Sequence, residues 1–252
     1  MLLKKKVALI TGAGVGIGKG IARKFAEEGA ILIVNDINAD TGQETADEIT
    51  KNNGTADFVH GDTSSAADAK NMVDFAVQKY GRLDVLVNNA AIEVVKPFLE
   101  TTEQELESLM QVNIKGVFLV GQQAGLQMVK QGGGSIINLS SVGGLIVAPL
   151  LAGYCATKHG VIGLTKTMAL ELRTNNIRVN ALCPAFIDTP MIERTAKIYS
   201  AANIDVASLT AQMQVRLGKV EEVASVAVFL ASDQSSFVNG TAIPIDNAFT
   251  AS

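Results

Sequence analysis

Short runs that are apolar for most of their length punctuate the chain: VALIT (7–11), ILIVND (31–36), DVLVNNA (84–90), SIINLS (135–140) and IRVNALC (177–183). Strands apolar on both sides need cover on both faces, which a parallel sheet between two helical layers provides. Helical patterns fill the intervals. Ile17, Ile21 and Phe25 recur every fourth residue until Gly29, and further patterns lie near 40–52, 66–80, 103–130 and 154–174. Strand and helix alternating in this way predict an α/β fold: a doubly wound, Rossmann-like parallel sheet with right-handed crossovers. No Pro-, Gly- or Ser-rich linker divides the chain, so residues 1–252 are expected to form a single domain.

Composition narrows the function classes. With 48% hydrophobic and 18% charged residues, the 252-residue chain can bury a substantial core. A net charge of −4 gives no general attraction to nucleic acid or anionic lipid. Lys4, Lys5 and Lys6 read as a solvated segment. Two cysteines, Cys155 and Cys183, make no disulfide framework, and neither a spanning helix nor a cleavable leader is evident, so a cytoplasmic location is expected. The scattered His60, His159 and two cysteines offer no metal-ligand spacing.

The stretch TGAGVGIGKG follows the first strand and opens the first helix. Its glycines, Gly12-x-x-x-Gly16-x-Gly18, allow a tight turn and close backbone approach. The helix N-terminus, at Gly16 and Ile17, then offers free N–H groups to a pyrophosphate. Asp36 ends the second strand 18 residues after Gly18, where a carboxylate can accept bonds from ribose hydroxyls and repel a 2′-phosphate. Ile37 follows it rather than an arginine. The expected cofactor is therefore NAD rather than NADP.

The chain also carries Asp62-Thr63, Asn88-Asn89-Ala90 at the end of the 84–90 run, Asn113 in a long helix, Ser141 after the 135–140 run and Tyr154-x-x-x-Lys158. With these motifs it resembles the compact type of the short-chain dehydrogenase/reductase family, in which the acidic residue follows a third strand. PAFIDTPM (184–191) resembles that family's proline-led loop beside the nicotinamide. The chain departs from the family pattern at Ala91, at Ala185 and at Asn247-Ala248, where glycines are usual.

The resemblance implies a catalytic set of Asn113, Ser141, Tyr154 and Lys158. Ser141, rather than its neighbour Ser140, lies at the family's usual 13-residue distance before the tyrosine. Four residues apart on a helix, Tyr154 and Lys158 share a face, and a nearby ammonium should favour the phenolate. Tyr154 is then the general acid/base. Lys158 would also hold the nicotinamide ribose, Ser141 would bond the substrate oxygen, and Asn113 would shape its helix around a water. Asp62, Thr63, Asn89 and Ala90 would line the adenosine side, and Ile187 and Thr189 would reach the nicotinamide carboxamide. Cys155 turns about 100° away from Tyr154 and reads as a buried structural thiol.

Glu93, Val142, Phe186 and Met191, with Ser141, are candidate substrate walls, and 190–215 reads as a lid over the cleft. The expected function is hydride transfer between NAD(H) and a secondary alcohol or ketone. A non-catalytic NAD-binding sensor and a sugar epimerase or dehydratase are the alternatives. Apolar residues on the helices near 103–130 and 154–174 suggest an oligomer, a tetramer by family resemblance, and the other expected partner is the small-molecule substrate.

Overall fold

A computed structural model describes residues 1–251. Seven parallel strands form one sheet in the order β3-β2-β1-β4-β5-β6-β7. They are β1 (Val7–Ile10), β2 (Ile31–Asp36), β3 (Thr55–His60), β4 (Val85–Asn88), β5 (Gly134–Leu139), β6 (Ile177–Pro184) and β7 (Ala242–Ile245). The chain winds outward from β1 through β2 to β3, then returns to pair β4 with the other edge of β1. This reversal opens a crevice at the carboxyl ends of β1 and β4, the usual ligand position in such sheets.

Side-chain alternation builds two cores. Ala8 and Ile10 of β1 face a layer formed by α1 (Gly16–Glu27), α2 (Ala39–Lys51) and α9 (Val220–Ala231), with Phe25, Ile49 and Val223 buried against them. Val7 and Leu9 face α3 (Ala66–Tyr80), α5 (Val117–Gln131) and α6 (Ala152–Leu172), where Met72, Met128 and Ala169 pack. Both faces are covered, as the apolar runs require.

Two elements differ from the sequence reading. β4 stops at Asn88 because the N–H groups of Asn89 and Ala90 donate to Thr11 Oγ1 instead of continuing the ladder. The helix expected over 103–130 is interrupted. α4 (Glu103–Met110) and α5 flank a wide π-type turn at Gln111–Gly116. The expected lid contains α7 (Pro190–Ala201) and α8 (Val206–Met213). A third small core of Leu151, Cys155, Tyr199 and Val206 ties it to α6. No helix among the described residues is long and apolar enough to cross a membrane.

Candidate active site

A cavity of about 440 Å³ lies outside the carboxyl ends of the central strands. It runs from Asp36 and Asp62, past the glycine turn, to Tyr154 and the first turns of α7. Another cavity of about 370 Å³ sits at the opposite, amino end of the sheet, lined by Lys6, Arg82, Asp84, Arg178 and Asp233. Lys6 is paired with Asp233 and Arg82 with Asp84, each at 2.6 Å, and Arg178 donates to Leu230 O and Ser232 O. The carboxyl-end cavity is the one that gathers the candidate site residues.

The glycine turn and the end of β4 are built as one unit. Asn89 Nδ2 donates to Thr11 O at 3.0 Å and to Gly12 O at 2.9 Å. Gly12 adopts φ +60°, and a Cβ there would lie 2.8 Å from Ala90 Cα, so the position admits only glycine. Gly16, at φ +56°, opens α1, and its first residues, Gly16 and Ile17, line the cavity. Gly18 lies behind the wall, packed against Gly12 and Asn89, where it lets the helix approach the turn.

Asp36 borders the cavity with both oxygens held by backbone. Gly14 N donates to Oδ2 at 2.8 Å and Asn38 N to Oδ1 at 2.9 Å. Behind it, Asn35 is buried and its Oδ1 has no hydrogen-bond partner, although Nδ2 donates to Val59 O and Gly61 O. The cradle at Gly12, the free N–H groups of α1 and the acceptors at Asn35 and Asp36 suit a dinucleotide. Asp62, Thr63, Ile187 and Thr189 also line the cavity. Thr189 caps α7 through Ile192 N, and its hydroxyl donates to Ile187 O at 3.1 Å.

Ser141, Tyr154 and Lys158 meet at the centre. Ser141 Oγ accepts from Gly143 N at 3.0 Å, which fixes it at the end of β5. The neighbouring Ser140 is buried and donates to Lys158 O at 2.9 Å, a supporting role. Lys158 Nζ donates to Leu139 O at 2.8 Å and lies 5.5 Å from the centre of the Tyr154 ring. Burial lowers the Lys158 ammonium to about 8. Burial also pushes the Tyr154 phenol above its ordinary value; the Ser141 hydroxyl opposes this, and the Glu93 charge adds to it. Lys158 is not among the groups that shift the phenol; burial dominates the shift of each side chain.

Asn113 stands outside the cavity wall. Its Nδ2 donates to Ile92 O at 2.9 Å and to Thr157 Oγ1 at 3.1 Å, while Oδ1 accepts from Ile92 N at 2.9 Å. These bonds pin the π-type turn to the strand-end loop beside the site. Cys155 is buried away from the cavity, as its helical offset implies.

The cavity beside Tyr154 is lined by Glu93, Val142, Phe186 and Met191, the candidates for substrate walls, and also by Ile146, Leu151 and Ile192, which the sequence reading did not name. Phe249, near the C-terminus, also lines it and packs edge-on to Phe186 with ring centres 5.8 Å apart. No spacing rule links residues so far apart in sequence. The departures at Ala91 and Ala185 carry no positive φ, so their methyls are accepted without backbone strain. Asn247 and Ala248 do adopt φ of 48° and 70°, and Asn247 Nδ2 steadies that turn by donating to Gln214 O.

Comparison with known proteins agrees with this geometry. Residues 12–250 match a family model described as enoyl-(acyl carrier protein) reductase. The chain is 44% identical over 249 residues to the 3-oxoacyl-[acyl-carrier-protein] reductase FabG of Thermotoga maritima, covering 98% of each. It is 40% identical to the cyclohexanol dehydrogenase of Acinetobacter sp., covering 97% of this chain and 95% of the relative. The crystal structure of levodione reductase superposes with a TM-score of 0.95 at 34% identity, covering 99% of both chains. On the cavity, its glycine cradle and these similarities, the chain belongs to the short-chain dehydrogenase/reductase family and is an oxidoreductase of the nicotinamide-binding kind.

Proposed function

We propose that the protein is an NAD-dependent secondary-alcohol dehydrogenase or ketone reductase with Tyr154 as its general acid/base. The observation that carries this reading is the meeting of Ser141, Tyr154 and Lys158 in the same cavity as the glycine turn and Asp36. Gly12, Gly16 and Ile17 would hold the pyrophosphate, with Gly18 allowing their approach. Asp36 would hold the adenosine ribose, while Asp62, Thr63, Asn89 and Ala90 would line the adenosine side. Ile187 and Thr189 would meet the carboxamide. Bound nicotinamide supplies the hydride acceptor or donor.

The chain's own groups then manage the proton. Ser141 bonds the substrate oxygen and fixes it against Tyr154 Oη. Tyr154 takes the alcohol proton in oxidation or returns one to the carbonyl oxygen in reduction. Lys158, held at Leu139 O, contributes its charge and binds ribose hydroxyls. Its nearness to neutrality lets it pass a proton on. Asn113 acts from behind, as a positioning residue, through Ile92 and Thr157.

NAD is preferred on the strength of Asp36, whose carboxylate would face a 2′-phosphate with like charge. Ile37 beside it is exposed and offers no compensating cation. The relative named for cyclohexanol, a secondary alcohol, favours alcohol and ketone substrates. A carrier-protein thioester is less well matched, because carrier proteins are acidic and this chain's net charge is −4. The free thiols suit a reducing cytoplasm, and exposed apolar residues on α5 and α6 support assembly, a tetramer by family resemblance.

The test is NADH consumption with small, cyclic and β-keto carbonyl compounds, with NADPH and Tyr154→Phe as controls. Turnover with NADH is expected to fall by about 10²–10⁴ in the variant while NADH binding persists. Binding without turnover across the panel would favour a sensor, and a preference for NADPH would overturn the role given to Asp36.

A further inference from the structure

Glu93 is an ionisable group that the chemistry at Tyr154 does not require. It stands at the substrate end, where the surrounding wall is largely apolar: Val142, Leu151, Phe186, Met191 and Ile192. One of its oxygens is engaged. Thr195, on α7 and only 3% exposed, directs its one hydroxyl proton to Glu93 Oε1 at 2.5 Å, the nearer of two acceptors, with Met191 O at 3.1 Å. The other oxygen, Oε2, makes no hydrogen bond among the described residues and belongs to a side chain in the cavity wall.

We propose that Glu93 Oε2 accepts a hydrogen bond from a second hydroxyl on the substrate, so that the site takes a diol or its hydroxyketone in preference to a monohydric alcohol. This rests on the dehydrogenase reading above. Glu93 and Tyr154 line the same cavity, so one substrate can meet both. When substrate displaces water, a charged acceptor left without a donor weakens binding. A substrate hydroxyl restores that bond.

Charge narrows the class. Burial raises the Glu93 carboxyl, while the Thr195 hydroxyl and Arg194 pull it back. An anionic substrate would meet the Glu93 charge. A cationic one would meet Arg194 at the rim and Lys158 at the centre. A neutral donor matches Oε2 without adding charge, and a hydroxyl is the simplest such group.

Glu93 also joins the loop after β4 to α7, so a plain latch between loop and lid is the competing account. A latch uses one oxygen and acts on every substrate alike, whereas recognition acts on the second hydroxyl alone. The measurement is kcat/KM with NAD for cyclohexane-1,2-diol against cyclohexanol, and for butane-2,3-diol against butan-2-ol, in the native enzyme, Glu93→Leu and Thr195→Val. The diol-to-alcohol ratio should fall about tenfold in Glu93→Leu, equivalent to about 1.4 kcal/mol, through the diol KM. In Thr195→Val, which leaves Glu93 misdirected, it should fall several-fold.

Thr195→Val is nearly isosteric and reads the same ratio if Glu93→Leu fails to fold. A ratio that stays constant while both alcohols lose activity together would make Glu93 a latch and overturn the proposal. NADH binding without oxidation of any of the four alcohols would instead overturn the dehydrogenase reading, and this proposal with it.

Discussion

Lys158 shows how a residue proposed for catalysis can weaken the fold that holds it. Its ammonium is buried with one hydrogen bond, to Leu139 O, and its pKa falls from an ordinary 10.5 to about 8. The unfolded chain therefore binds more protons than the folded one between those values, and stability rises with pH through that window. Cys183 acts in the opposite sense. Burial raises its thiol from 9.0 to about 11, so above pH 9 the unfolded chain ionises first and stability is lost. The net gain is concentrated between pH 8 and 9, at about 1 kcal/mol for the cofactor-free enzyme. Urea unfolding at the two pH values measures it. Lys158→Met should raise stability at pH 8 and flatten the rise, and an unchanged slope in that variant would show that the charge on Lys158 is not its origin.

At the scale of elements, the π-type turn at Gln111–Gly116 lies outside the cavity and, on the proposed function, positions the site. Asn113 forms it by bonding the backbone of Ile92 on one side and Thr157, one residue before Lys158, on the other. Asn113→Ala strands the N–H and C=O of Ile92 in a partly buried loop. The expected loss is about 2–4 kcal/mol, visible in the urea midpoint, with kcat falling more than KM rises. An unchanged kcat in a folded variant would remove Asn113 from the positioning role. The sequence showed Asn113 only through family resemblance, because a helix opened by a bond from 21 residues away leaves no mark in hydrophobic periodicity. The same limit hid Thr195 behind Glu93, and Phe249 beside Phe186. β7 escaped for a local reason: AIPI is four residues long and contains Pro244, which an edge strand tolerates and a periodicity reading rejects. The glycine turn, Asp36 and the Tyr154–Lys158 pair were legible because contiguous backbone geometry or helical spacing dictates them.

At the scale of the molecule, the remaining question is why α5 and α6 present so much apolar surface. Phe118, Leu126 and Val129 lie on one stripe of α5 and are each more than 40% exposed, as is Leu170 on α6. Residues of the same helices, such as Val120, Met128 and Ala169, already satisfy the core beneath the sheet, so the outer stripe is surplus to this chain's own packing. In a closed assembly with two-fold symmetry, each such side chain is buried twice, once from each copy. Burying a leucine is worth about 1.5–3 kcal/mol, so Leu126→Lys removes roughly twice that from one interface and adds two facing ammonium groups. Sedimentation velocity should find the native enzyme as an oligomer and the variant dissociating at concentrations at least 100-fold higher. α6 carries Tyr154 and Lys158 on the same rod that carries Leu170, so dissociation should also lower turnover while far-UV circular dichroism stays constant. A native enzyme that sediments as a monomer would assign the stripe to some other partner and detach the active site from assembly.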